Sequence, residues 1–140
     1  MTRYLVDTNV FAYARGGEHH YRDPCRAIVD AAGNGRLTLE ASVELVQEHT
    51  HLLLRRGVAR ADALAEVQEV MALCRLHAFD TDVLHRSISL LSAHPQLGVR
   101  DAVHAATALH NGIERILTAD RVFDGIPGIT RVDPTSITTT

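Results

Sequence analysis

The chain has 140 residues, of which 46 % are hydrophobic, enough for the core of one domain. No run approaches the ~18 consecutive apolar residues a membrane span needs, and Arg3 and Asp7 interrupt the first apolar run in a way that does not fit a signal peptide. A net charge of −3 excludes the broad basic surface of a general nucleic-acid binder. It does not exclude a nuclease whose own carboxylates carry part of that charge.

All 14 basic residues are Arg and none is Lys, so any chemistry that requires a lysine is ruled out. Cys25 and Cys74 match no CxxC pattern, and they fit two buried thiols in a reducing, cytoplasmic setting.

In chain order, residues 3–7 (RYLVD) form a short apolar run ending in an acid, the pattern of a buried strand. Asp23-Pro24 predicts a helix start, with Asp as the cap and Pro at the first helical position, running to about Gly33. Residues 37–41 (LTLEA) predict a second strand, after which Ser42 caps a helix that ends before Gly57. A further helix is expected over about 60–74 and a third strand over 76–79 (LHAF). Asp80 or Thr81 caps a helix to about Ala93, stopped by Pro95. Asp101 opens an Ala-rich helix that ends at Gly112. Strands are expected at 115–118 (RILT) and 130–132 (TRV). Strands alternating with helices predict an α/β fold, a parallel sheet of four to five strands with helices on both faces. One domain over residues 1–134 and a flexible Thr-rich tail over 135–140 complete the expected organisation.

In open α/β sheets the binding crevice lies beyond the carboxyl ends of the strands. Asp7 ends the first strand and Asp120 follows the fourth, so both belong at that edge. Asp101 stands in the first turn of a helix, where the dipole and free N–H groups favour a carboxylate. Glu48 competes with Glu44. At about 100° per residue from Val43, Glu44 falls near ~100°, in the middle of the polar face, and Glu48 near ~140°, on its border beside Leu52. The border position can look into a crevice.

Carboxylates that converge there repel. A pair ~4 Å apart costs about 4 kcal/mol at an effective dielectric near 20. A hard divalent cation relieves this, and Mg²⁺ or Mn²⁺ suits oxygen ligands better than zinc does. Such an ion shares its shell with water and substrate phosphate, so the expected reaction is hydrolysis of a phosphodiester.

Four segments carry a resemblance. Asp7-Thr8-Asn9-Val10 after a short strand, Ser42 to Glu48, Arg100-Asp101 before the Ala-rich helix, and Leu117-Thr118-Ala119-Asp120-Arg121-Val122-Phe123 occur in this order. Over roughly residues 4–133 the chain resembles the PIN-domain ribonucleases and, within them, the VapC-type toxins of toxin–antitoxin pairs. The resemblance implies a PIN-like fold and an acid set of Asp7, Glu48, Asp101 and Asp120 serving as catalytic and metal-binding residues, with Asn9 and Thr118 in support. Asp124 is the alternative to Asp120. It further implies a Mg²⁺- or Mn²⁺-dependent endoribonuclease acting on RNA, a homodimer, and inhibition by a small VapB-type antitoxin.

Other readings are weaker. Glu48-His49-Thr50-His51 is not HExxH, and residues two apart on a helix do not share a face, which argues against a zinc site. Receiver domains and haloacid-dehalogenase-type phosphatases place an acid after the first strand but rely on a Lys that is absent here. A PIN-like binding module with a silent site and a housekeeping RNA-processing nuclease remain as alternatives.

Overall fold

The computed structural model describes residues 2–139. The elements run β1 (Arg3–Val6), α1 (Thr8–Arg15), α2 (Arg22–Gly33), β2 (Thr38–Ser42), α3 (Val43–Arg55), α4 (Arg60–Leu73), β3 (Cys74–His77), α5 (Thr81–Ala93), α6 (Val99–His110), β4 (Arg115–Leu117), a 3₁₀ turn (Arg121–Phe123) and β5 (Thr130–Val132). The five strands form one sheet in the order β3-β2-β1-β4-β5, and every neighbouring pair is parallel.

The strands alternate between two cores because successive side chains point to opposite faces. Val6 and Leu117 join the core under α1–α4, together with Phe11, Ile28, Leu45 and Val70. Leu5 and Ile116 join the core under α6, with Ala102, Ala105, Ala108 and Phe123. Alanine at three α6 positions lets that helix lie close to the sheet.

The chain winds from β1 outwards to β2 and β3, then crosses back through α5 and α6 to β4 on the other side of β1. The winding direction therefore reverses between β1 and β4. That reversal leaves a crevice outside the carboxyl ends of these two strands, and Asp7 and Thr118 are the first residues past them.

Several local expectations are corrected. The helix α1 had no counterpart in the sequence reading. Asp7 is not the end of the strand but the N-cap of α1, accepting the Thr8 N–H at 2.7 Å. Helix α2 begins at Arg22 with Tyr21 before it, so Asp23 lies inside the first turn and is not the cap. The third strand is Cys74–His77, earlier than 76–79, because its pairing with β2 sets Leu39 opposite Cys74 and Ser42 opposite His77. Helix α6 starts two residues before Asp101. Ser42 and Asp80 cap α3 and α5 as expected. Towards the C-terminus, Asp133 accepts from Tyr21 Oη at 2.6 Å and from the Thr135 hydroxyl, and Ile137 packs partly against the first core.

No helix among the described residues is long and apolar enough to cross a membrane.

Candidate active site

Asp7 is the centre of the crevice. Its Oδ1 accepts the Thr8 N–H, and its Oδ2 accepts the Thr118 hydroxyl at 2.8 Å and Asn9 Nδ2 at 3.2 Å. Asn9 also donates to Thr118 Oγ1 at 3.0 Å, which in turn accepts the Asp120 N–H at 3.0 Å. This small network locks the end of β1 to the end of β4, and the Asp7 N–H completes it by donating to the Leu117 carbonyl. Thr118 is fully buried and Asp7 nearly so. Both oxygens of Asp7 are held in place, as an active-site carboxylate needs.

The other acids come from separate elements. Asp101 sits at the third position of α6, where its Oδ2 faces the Gly98 N–H at 3.4 Å. Asp120 caps the 3₁₀ turn, accepting from the Val122 N–H at 3.1 Å. Glu48 comes from the second turn of α3, with its Oε2 buried and without any hydrogen-bond partner. Arg100 approaches its other oxygen at 3.9 Å. Glu44 lies one turn earlier on the rim with Gln47 and His51, and it makes no contact with His104 or Asp7 as Glu48 does with His104. Asp124 is paired with Arg131 at 2.8 Å and is half exposed, away from the cluster. Of the two candidates for the fourth position, Asp120 is the one near Asp101.

One buried residue escaped the sequence reading. His104, one turn after Asp101 on α6, is completely buried beneath the acids. Its Nε2 lies 3.5 Å from Glu48 Oε2 and 3.7 Å from Asp7 Oδ1. These distances allow charge attraction but are too long for well-formed hydrogen bonds, and neither ring nitrogen has a partner. The spacing Asp101-x-x-His104 places both side chains on one helix face and was the available signal.

The electrostatics show crowding. Burial pushes Asp7 above the ordinary carboxylate range, and the Glu48 charge adds to this against the pull of His104, Thr118 and Thr8. Asp101 is raised by burial and by the charges of Asp7 and Asp120. Burial also pushes Glu48 upwards, but His104 and Arg100 outweigh it and hold it low. For His104, burial alone would lower the pKa. Attraction to Glu48, Asp7 and Asp101 prevails and raises it.

This donor set fits a hard divalent cation. It consists of oxygens from four acids, of which Asp7 and Asp101 are raised first by burial and then by neighbouring carboxylates, and it includes the buried Glu48 Oε2, which accepts no hydrogen bond. Among the described residues no three His, Cys, Asp or Glu groups stand close enough to enclose an ion by themselves. That spacing suits an ion bound through one or two carboxylates that completes its shell with water.

The comparisons with known proteins agree with this architecture. The PIN domain model matches residues 4–129. Ribonuclease VapC7 of Mycobacterium tuberculosis is 34 % identical over 132 residues, covering 93 % of this chain and 90 % of that protein. Ribonuclease VapC13 of the same organism is 33 % identical over 134 residues, covering 91 % and 98 %. The chain belongs to the PIN-domain family and, within it, to the VapC ribonucleases. Among solved structures, VapBC-1 from nontypeable Haemophilus influenzae superposes with a TM-score of 0.72 at 14 % identity, covering 96 % of this chain and 99 % of that one. FitAcB from Neisseria gonorrhoeae gives 0.71 at 20 % identity with the same coverage. Mycobacterium tuberculosis VapC20, described as a Sarcin-Ricin loop cleaving toxin, gives 0.65 at 20 % identity, covering 87 % and 90 %.

Proposed function

We propose that the chain is a Mg²⁺- or Mn²⁺-dependent endoribonuclease and the toxin of a toxin–antitoxin pair. The observation that carries the reading is the crowded acid cluster at the β1/β4 reversal, with the buried Glu48 Oε2 at its floor accepting no hydrogen bond. Membership of a family whose relatives are named ribonucleases supplies RNA as the substrate.

In this reading Asp7, Glu48, Asp101 and Asp120 surround the metal, which one or two of them would ligate directly while the others would hold it through water. When bound, the metal supplies an activated water and charge stabilisation at the scissile phosphate. The chain's own groups prepare the site. Thr118 and Asn9 fix the plane of the Asp7 carboxylate, so that it costs no reorganisation during reaction. The dipole of α6 favours Asp101 in its ionised form. His104 lies beneath the acids, 3.5 Å from Glu48 Oε2 and 3.7 Å from Asp7 Oδ1, where it can orient both carboxylates.

An antitoxin would act by occupying this crevice. A cluster with surplus negative charge is complementary to an inserted Arg, and the bidentate Arg–carboxylate contact is the stronger choice. A groove between α1, α2 and α4 supports a longer docking segment: Phe11, Val29, Val70 and Leu73 give it an apolar floor, and Asp30, Glu66 and Glu69 with Arg15 and Arg26 a charged rim of both signs. The exposed Leu84 and Ile88, one turn apart on α5, and Val99 at the start of α6 give a homodimer apolar surface to cover.

The test is cleavage of RNA by the purified chain with Mg²⁺ or Mn²⁺ and with EDTA, beside growth of a bacterial host expressing it. Metal-dependent cutting and growth arrest are expected, and both should be abolished in Asp7→Asn. Full cleavage in EDTA would refute the metal role. Harmless expression of a chain that cuts RNA in vitro would instead mark a housekeeping nuclease.

A further inference from the structure

Next to the acid site, α1 leads into a second concavity of about 430 Å³ that the reading above leaves without a role. Asn9, already bonded to Asp7 and Thr118, forms its inner end. Ala12, Tyr13 and Gly16 follow on the same face of α1. Gly17, Glu18 and His19 make the far wall, and Arg56, just past the end of α3, closes the side. From Asn9 to Gly16 the helix rises about 10 Å, so the trough takes up where the acid crevice stops.

Its wall is aromatic and faces solvent. The Tyr13 ring stacks on His19 with centroids 4.6 Å apart and planes 20° apart, and His19 stacks on His20 at 4.5 Å. Tyr21 leans on the group, 5.2 Å from Tyr13 and 5.8 Å from His19. Both histidines are exposed. Tyr13 and Tyr21 pack part of their rings against the first core and leave the rest at the surface. Beside them, the small Ala12, Gly16 and Gly17 leave space: a side chain added at Gly17 would meet nothing within 4 Å.

We propose that this trough is a nucleobase subsite, in which an unpaired base of single-stranded RNA next to the scissile phosphate packs against the Tyr13–His19 wall. This rests on the ribonuclease reading and adds where the substrate strand lies. Aromatic faces stack on any base, and RNA is recognised largely through such splayed, unpaired bases. Arg56 takes a backbone phosphate, a contact its planar fork suits. The Glu18 carboxylate repels phosphate, so the sugar–phosphate chain runs on the Arg56 side and Glu18 meets the amino edge of the base. A protein segment is the poorer occupant, because the trough lacks the aliphatic floor that the groove between α1, α2 and α4 has.

The experiment measures binding of a fluorescent single-stranded oligoribonucleotide in EDTA, and steady-state cleavage with Mn²⁺. It uses wild type, His19→Ala, His19→Phe, Arg56→Gln and, as a charge control on the distant α5, Arg86→Gln. His19→Ala and Arg56→Gln are expected to weaken binding about tenfold and raise KM to match, with kcat held. Only Arg56→Gln should flatten the salt dependence, by about one phosphate contact. His19→Phe should recover wild-type affinity because it keeps the ring, although it loses the bond His19 Nδ1 accepts from the Tyr21 N–H. Unchanged RNA affinity in both weakening variants would overturn the proposal. So would a His19→Phe variant as weak as His19→Ala, which would assign the effect to the turn rather than to stacking. Loss of a co-purifying antitoxin with RNA affinity intact would give the trough to a protein instead. The binding arm does not need catalysis: a wild type that binds RNA through the trough but cuts none would refute the ribonuclease reading and leave the subsite standing.

Discussion

The protein buries two carboxylate groups in opposite ways, and the contrast separates structure from function. Glu40, in the middle of β2, is completely buried, yet both its oxygens are satisfied. Arg3 reaches it from β1 with Nε and with Nη2 at 2.9 Å, and His77 from β3 at 2.8 Å. Burial pushes its pKa up, but the bonds to Arg3 and then to His77 prevail and hold it low. Asp7 lies just past the end of the adjacent strand β1, where burial and then the Glu48 charge push it up. The first acid is neutralised by partners within the fold. The second belongs to a cluster of acids whose charge Arg100 and His104 only partly offset, and on the proposed reading a bound cation would supply the rest.

The largest effects should come from breaking the second group. Asp7→Asn and Glu48→Gln should reduce RNA cleavage beyond the roughly 10–100-fold typical of losing a supporting residue, and Thr118→Val should fall within that range. The folded fraction, followed by circular dichroism, should not change. Glu40→Gln should do the reverse. It leaves the half-exposed Arg3 and the largely buried His77 without counter-charge, and should lower the unfolding free energy while cleavage by the folded enzyme is retained. If Glu40→Gln abolished cleavage without loss of stability, the division between the two acids would be wrong.

A pH titration sharpens the comparison. Asp7 and Asp101 have raised folded pKa values, so their ionisation weakens the fold once the pH passes their ordinary range. His104 is also raised, so the stability it contributes is complete below its ordinary value of 6.5 and is lost as pH rises through the folded value. The signs agree. The metal-free protein should lose stability between about pH 5 and the alkaline side, as read by thermal denaturation. Asp7→Asn should flatten that slope. The contribution of Glu40 has the opposite sign and disappears only in acid, as pH falls through its lowered value. The smallest effect expected is that of Glu44→Gln, a rim residue one helical turn from Glu48, which should cut RNA at close to the wild-type rate.

Much of this arrangement was legible in the sequence, for identifiable reasons. The strands carrying Leu5-Val6 and Ile116-Leu117 read as buried because apolar runs tolerate a core on each face. Glu48 could be told from Glu44 because 100° steps set one on the edge of the apolar arc. Helix α1 could not be read so easily. Asp7-Thr8-Asn9 is turn chemistry, Val10 and Phe11 favour strands, and Gly16 follows after only eight helical residues; tertiary packing of Val10 and Phe11 decides the matter. His104 and the partners of Glu40 depend on contacts across the sheet that no local pattern encodes. Arg3 and Glu40 lie 37 residues apart.

The most direct test of the central claim is thermal unfolding with and without millimolar Mg²⁺ or Mn²⁺, on wild type, Asp7→Asn and Glu40→Gln. Without metal, Asp7→Asn should melt above wild type by about 4 °C, the equivalent of roughly 1 kcal/mol of relieved repulsion. Glu40→Gln should melt below it. Metal should raise the midpoint of wild type and Glu40→Gln, by mass action on the folded state, and leave Asp7→Asn where it was. A wild type that neither ion shifts, or an Asp7→Asn shifted as much as wild type, would contradict the account.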